Sequence, residues 1–393
     1  MGGFVATRRG RLTRPLMVVA HRCLGLALAG FLALAGLTGS VLTFQHELDA
    51  WLNPALFRAQ TRGPALPPSA LIAALARFEP RAQPIQLTLA TTPGMTVMIG
   101  VAARPDPRTG ARAPLGYSQV FIDPASGHIQ GTRQSGACCL QRENLIGFLY
   151  DLHFTLHLPG LWGVWVMGVV AFVWMLDSGI GFYLTLPPRA ALSFWRRWAP
   201  AWKIKRDAGP ARRIYDLHRA NGLWFWPLLL MLALSSLKLN LDAEIFKPMV
   251  SLFSPVTPTV YETRGPFQNT EALLSFDMAY ARGLQEAARR GWDLPLSQLY
   301  HERAYGLYAV RFGTPDTPGF GRRWLYFDHH DGHLLGDSIP GTGSAGDVFS
   351  ALQLPLHGGK LIGLPGRILI CLTGVAIVLL SVTGVLIWWR KRR

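Results

Sequence analysis

The chain is poor in cysteine, with four in 393 residues. Four are too few to serve as a disulfide framework. None lies in a C-x-x-C-H run, which excludes covalent c-type haem attachment. There is no H-E-x-x-H, so a zinc protease of that kind is excluded, and no G-x-G-x-x-G following a strand, so no dinucleotide or flavin module is present. Acidic residues are scarce in particular places. Residues 1–22, 187–222 and 390–393 contain 18 of the 39 Lys and Arg but only Asp207 and Asp216 among the 23 acids. The remaining 21 bases and 21 acids cancel, so the whole net charge of +16 lies in those three segments.

Long apolar runs are abundant. Four segments, 16–44, 161–186, 223–241 and 366–389, meet or nearly meet the ~20 residues needed to cross a bilayer. The first is too long for a secretory h-region and has no A-x-A-like cleavage site, so it reads as a retained helix. The basic segments flank these runs, and by the positive-inside rule they face the cytoplasm. The expected layout is a cytoplasmic N-terminus (1–15), a first outer domain (45–160), a basic cytoplasmic loop (187–222), a second outer domain (242–365) and a cytoplasmic tail (390–393), with both termini inside. Bases in these positions orient the chain and meet anionic lipid. That accounts for a pI near 10.3 without nucleic acid.

The chain repeats itself. His21-Arg22-Cys23-Leu24-Gly25-Leu26 and His218-Arg219-Ala220-Asn221-Gly222-Leu223 both read H-R-x-x-G-L, and Leu152-His153 and Leu356-His357 precede the second apolar run of each half. Each outer segment reads as one helix plus a small antiparallel sheet. In the first, a helix spans 67–78, strands lie within 84–102 and 117–122, and an Asp123-Pro-x-x-Gly turn follows. In the second, a helix spans 270–290, strands cover 305–312 and 324–327, and the turn is Asp328-His329-His330-Asp331-Gly332-His333. Asp opens such turns, and glycine supplies the positive φ that closes them. The predicted class is a membrane α+β protein: a four-helix bundle built by internal duplication, carrying two helix-plus-sheet domains. Both copies cross in the same direction, which implies a pseudo-twofold axis along the membrane normal.

Histidines recurring at helix mouths are candidate axial ligands for b-type haem, because electron-transfer haem favours two strong ligands such as imidazoles. Each pair must come from facing helices. His21 with His218 forms one expected pair at the inner side. His357 forms the other, with His153 or His157, which read as sharing one helical face. His46 is a further candidate. A lone histidine at a membrane boundary is ordinarily an interfacial side chain, and it is the repetition that argues for ligation. Asp177, a carboxylate inside an apolar helix, is read either as a proton or polar group near the inner site or as a hydrogen bond between helices. Trp162, Trp165, Trp174, Trp224 and Trp226 read as belt and packing residues. Cys138 and Cys139 read as thiols or as paired elsewhere, with a bond to each other as the alternative. His128, His329, His330 and His333 read as solvated turn residues.

These pieces resemble the PepSY-associated transmembrane family, which includes iron-regulated inner-membrane proteins and siderophore-iron reductases. The matching residues are His21-Arg-x-x-Gly with Gly36-Leu37-Thr38-Gly39-Ser40 and Glu47-Leu48-Asp49; Leu152 to Gly160; Asp216-Leu217-His218-Arg219; Leu356-His357-Gly358; and Thr383-Gly384-x-x-x-Trp388. The chain departs from the pattern at Asp177-Ser178-Gly179 and Leu234-Ser235-Ser236, where Thr-Gly is usual, and at His329-His330. The resemblance implies two haems b per chain in the bacterial inner membrane and PepSY-like outer domains. It further implies reduction of ferric siderophore iron in the periplasm with release of Fe(II). The electron donor is then external: a quinol, or a cytoplasmic reductase docking on the basic loop. Two other readings fit the same pieces: a non-enzymatic module that binds a periplasmic peptidase or senses a ligand, and a transporter of iron or of its chelate.

Overall fold

The computed structural model describes residues 9–106, 108–139, 141–187, 193–267 and 272–392. Arg8, Arg189, Thr270 and Arg393 lie outside them, as do the side chains of Arg9 and Arg11. The described chain forms two compact units. One comprises residues 1–43, 151–252 and 353–393, and the other 44–150 and 253–352.

The first unit contains four long apolar helices: Arg9–Leu42, Trp162–Thr185, Pro210–Asn240 and Leu364–Arg390. Each is long and apolar enough to cross a membrane. They pack as a ring in which the first helix meets the second and fourth, and the third meets the same two. Leu176, Val169, Leu372, Val375 and Val382 face outward and are half exposed, which suits a lipid-facing surface. Small residues bring the backbones together where the first and fourth helices cross. A Cβ at Gly36 would stand 2.7 Å from the Gly374 carbonyl oxygen, and Ser40 donates to the Cys371 carbonyl at 2.9 Å. In an apolar solvent such close packing supplies the association that burial supplies in water.

The third helix starts thirteen residues earlier than hydropathy indicates, at Pro210. Proline at a first turn costs no hydrogen bond. The polar stretch that follows stays helical because Asp216, almost fully buried, pairs with Arg212 at 3.0 Å and Arg219 at 2.9 Å. His218 therefore sits inside the helix and not at its mouth.

The second unit is a single eight-stranded antiparallel sheet. Its strands are β1 (Ala82–Thr88), β2 (Val97–Ala103), β3 (Gln119–Ile122), β4 (Ile129–Arg133), β5 (Leu296–Glu302), β6 (Leu307–Phe312), β7 (Arg323–Asp328) and β8 (Leu334–Ser338), in spatial order β4-β3-β2-β1-β5-β6-β7-β8. Two separate sheets were expected. Instead β1 pairs with β5, Leu87 opposite Leu299, and joins the halves into one sheet. Alternation had revealed parts of β1, β2, β3, β6 and β7 but not β4, β5 or β8.

Helices Pro68–Phe78 and Phe276–Arg289 contribute to a core on one face of the sheet that includes Leu71, Leu75, Ile99, Val120, Ala279, Leu299, Val310 and Phe312. The second of these helices begins at Phe276, later than expected, because Ser275 caps it by accepting from the Met278 N–H. The two turns are built alike. Asp123 N–H donates to the His128 carbonyl, and Gly127, with φ 72°, donates back to Asp123; Asp328, His333 and Gly332, with φ 74°, repeat the pattern. Cys138 and Cys139 are bonded to each other, contrary to the expectation of free thiols or a distant partner.

Candidate functional site

Four histidines of the helical unit meet in two pairs. His21 on the first long helix faces His218 on the third, with ring centroids 6.3 Å apart and planes tilted by 55°. His153, near the end of helix Arg142–Thr155, faces His357, the last residue of helix Ala345–His357, at 6.2 Å and 62°.

Every one of these rings is held through Nδ1 by another element. His21 Nδ1 lies 2.8 Å from Asp177 Oδ1, and His218 Nδ1 lies 2.9 Å from Thr383 Oγ1. His153 Nδ1 lies 2.9 Å from Thr38 Oγ1, and His357 Nδ1 lies 3.0 Å from Ser235 Oγ. The acceptors fix the tautomer. Thr38, Thr383 and Ser235 donate their hydroxyl protons to carbonyls of their own helices, those of Leu34, Leu379 and Leu232. With that proton committed, each hydroxyl oxygen can only accept, so the imidazole carries its proton on Nδ1. The Asp177 carboxylate accepts in the same sense. All four Nε2 atoms are thereby left with a lone pair for a ligand bond.

Glycines give the rings their places. A Cβ on Gly39 would stand 3.0 Å from His153, one on Gly181 3.2 Å from His21, and one on Gly384 3.3 Å from His218. Any larger residue would push the ring out of line.

This arrangement fits a haem iron. A metal–imidazole bond is about 2 Å, and a ring centre lies about 1 Å behind its nitrogen, so two imidazoles on opposite sides of one metal have centres about 6 Å apart. Both pairs have that separation. Metal-bound histidines ordinarily anchor the far ring nitrogen on a carboxylate, carbonyl or other acceptor, which sets orientation and basicity. Each of the four does so. The spacing between the two sites is the same on the first and third helices. His21 and Thr38 are seventeen residues apart on the first helix, and His218 and Ser235 are seventeen apart on the third. At 1.5 Å per residue the pairs are separated by about 26 Å along the helices.

The other candidates are placed elsewhere. His157 does not share a helical face with His153. The helix stops at Thr155, and Leu156 and His157 take left-handed backbone conformations, φ 55° and 54°, which leaves His157 exposed. His46 is exposed on the short helix Gln45–Leu52 of the sheet unit. Trp162, Trp165 and Trp224 are exposed on the helical unit, whereas Trp226 stacks on Phe182 at 4.2 Å and donates to the Ser178 carbonyl. Trp174 packs into the apolar core between helices. His128, His330 and His333 lie on their turns, but His329 is fully buried, with His301 Nε2 3.2 Å from its Nδ1.

Sequence reading singled out Asp177, as a polar group near the inner site or a bond between helices, and it does meet His21 on another helix; it gave no role to Thr38, Thr383, Ser235 or Gly181. Their signal was present: Thr38-Gly39 and Thr383-Gly384 recur in apolar helices, and the two departures from Thr-Gly, at Asp177 and Ser235, are the other two acceptors.

A family model described as the PepSY-associated TM region matches residues 18–391, nearly the whole chain and all four histidines. No curated protein matches it.

Proposed function

We propose, from the premise that this chain belongs to the PepSY-associated TM family, that it is a di-haem b oxidoreductase of the bacterial inner membrane. In this reading it reduces ferric siderophore iron in the periplasm. The observation that carries the proposal is the pair of imidazole couples, each at the spacing of ligands across one metal, with every Nδ1 held and every Nε2 left open.

His21 and His218 would hold the inner haem, and His153 and His357 the outer one. Bound there, the haem irons supply one-electron transfer between the two faces of the membrane. The residues around them do the positioning. Asp177 and Thr383 orient the inner ligands, Thr38 and Ser235 orient the outer ones, and the apolar ring of helices keeps water from the span between. An internal duplication accounts for the matched seventeen-residue spacings and for the matched Asp123 and Asp328 turns. The basic segments support a layout with both termini and residues 187–222 toward the cytoplasm and the outer segments toward the periplasm. The donor is external, a quinol or a reductase meeting the basic loop. One electron per iron converts Fe(III) to Fe(II), whose lower charge binds hard anionic oxygen ligands less strongly, and the iron is released.

The test is a reduced-minus-oxidised optical spectrum of the purified protein with a pyridine haemochrome count. Two b-type haems per chain are expected, one lost in His21→Ala and the other in His357→Ala. A colourless, folded protein from haem-replete cells would overturn the reading and favour the peptidase-binding or sensing module.

A further inference from the structure

The sheet has a second face, opposite helices Pro68–Phe78 and Phe276–Arg289, where the short helix Val260–Arg264 covers part of β6, β7 and β8. Cross-strand partners place Gln86 and Thr88 of β1, Gln298 and Tyr300 of β5, Arg311 of β6 and Trp324 of β7 on it side by side. The polar groups on β1 and β5 satisfy one another. Gln86 and Gln298 both donate to Thr88 Oγ1 at 2.8 Å, and Tyr300 donates to Gln298 Oε1 at 2.9 Å.

One cation beside them, Arg311, is not fully satisfied. Arg311 is only 7% exposed, yet its Nε has no hydrogen-bond partner, and its guanidinium rests 5.3 Å over the Trp324 ring. Arg322, half-buried just before β7, lies close enough to act electrostatically on Arg311, and both act on Tyr300. Burial, with the charge of Arg322 next, pushes the Arg311 pKa down to about 10, so it is still a cation at neutral pH. Asp316 is the acidic neighbour felt by Arg322, and among the described residues neither guanidinium has an ion pair.

Other arginines toward the edges of the same face are neutralised. Arg133 meets Asp49 at 2.9 Å, and Arg264 meets Asp328 at 2.6 Å. A buried cation without a counter-ion is costly, and two adjacent ones cost more. Guanidinium forks match the paired oxygens of carboxylates and similar planar anions, and aromatic faces beside them stack on such groups.

We propose that Arg311, Arg322, Tyr300 and Trp324 form a binding site for an anionic, oxygen-donor ferric chelate, of the carboxylate or catecholate type. This rests on the reductase reading above and narrows its substrate to negatively charged chelates over neutral or cationic trihydroxamates.

The test is equilibrium dialysis with the full-length oxidised protein and no reductant. The probes are iron(III) citrate, an iron(III) tricatecholate, their redox-inert gallium(III) counterparts, a cationic iron(III) trihydroxamate and iron-free citrate. The anionic chelates, iron or gallium, should bind at least about tenfold more tightly than the cationic one. They should lose roughly tenfold or more in Arg311→Gln and in Arg322→Gln, the scale of one charge-assisted hydrogen bond. Should Arg311→Gln fail to fold, Arg322→Gln and Arg311→Lys carry the test, the lysine keeping the charge without the fork. Equal binding of the cationic chelate, unchanged affinity in the folded variants, or iron-free citrate binding as tightly as its chelates would each overturn the proposal. Haem content is read separately. A colourless protein that binds anionic chelates sinks the electron-transfer reading alone, and a haem-replete one without charge preference sinks this one alone.

Discussion

At the scale of single residues, the two histidine pairs differ in one atom type. Three rings lean on a hydroxyl and His21 leans on a carboxylate. On the proposed di-haem reading, a negative charge behind one ligand would favour the more positive, ferric state of an iron held beyond it. Over about 7 Å at an effective dielectric of about 20 the effect is about 2 kcal/mol, on the order of 100 mV for one electron. Asp177→Asn keeps an acceptor for Nδ1 and removes the charge. It is expected to retain both haems while one midpoint potential rises, as read by spectroelectrochemical titration. Thr383→Val removes the acceptor itself and should weaken haem retention about 10–100-fold, the usual effect of losing a partner behind a metal ligand. The histidines could be read from the sequence because they recur beside the same letters. Asp177 stood out as a lone carboxylate, and Thr38-Gly39 and Thr383-Gly384 recur, but which group lies behind which ring could not be read, because it depends on how helices far apart in sequence cross.

At the scale of elements, the crossing of the first and fourth long helices depends on having no side chain at Gly36 and Gly374. Gly374→Ala would place a methyl 2.2 Å from Ser40 Oγ and 2.5 Å from the Gly36 carbonyl oxygen. It should destabilise the helical unit by about 1–3 kcal/mol, seen as earlier thermal unfolding in detergent. The turns of the sheet unit set a different limit. Burial alone would raise the Asp123 carboxyl, but hydrogen bonds from Thr61, Ser126 and Ala125 hold it well below the usual range. Burial likewise opposes, and the His330 amide and Arg264 outweigh it, at Asp328. Groups depressed on folding lend stability that is complete above their unfolded pKa of about 4 and fades as pH falls below it. The sheet unit should therefore lose near-ultraviolet circular dichroism below about pH 4, and Asp123→Asn should flatten that dependence. Hydropathy located the four long helices because length and apolarity suffice. It misplaced the start of the third, since the helical turns from Pro210 are polar and rest on the Asp216 ion pairs. It missed β4, β5 and β8, which have little alternation of their own and are strands because neighbours pair with them.

At the scale of the whole molecule, the repeat read from the sequence implied two similar outer domains, and the structure has one sheet shared by both halves. Register explains why the sequence could not show this. Leu87 opposite Leu299 lies in a Gln-Leu pair present in both strands, Gln86-Leu87 and Gln298-Leu299, and two letters are too few to announce a pairing. The shared sheet also fixes an order of events in the making of the protein. β1 is finished at Thr88, but β5 begins only at Leu296, about two hundred residues later. At about 5–20 residues per second, the ribosome needs on the order of ten to forty seconds to supply it. For that interval the nascent chain carries an open strand edge, the kind of surface that recruits other chains. A chain truncated before Leu296 keeps it permanently, and pulse-labelled cells should degrade or aggregate that fragment while the full chain accumulates.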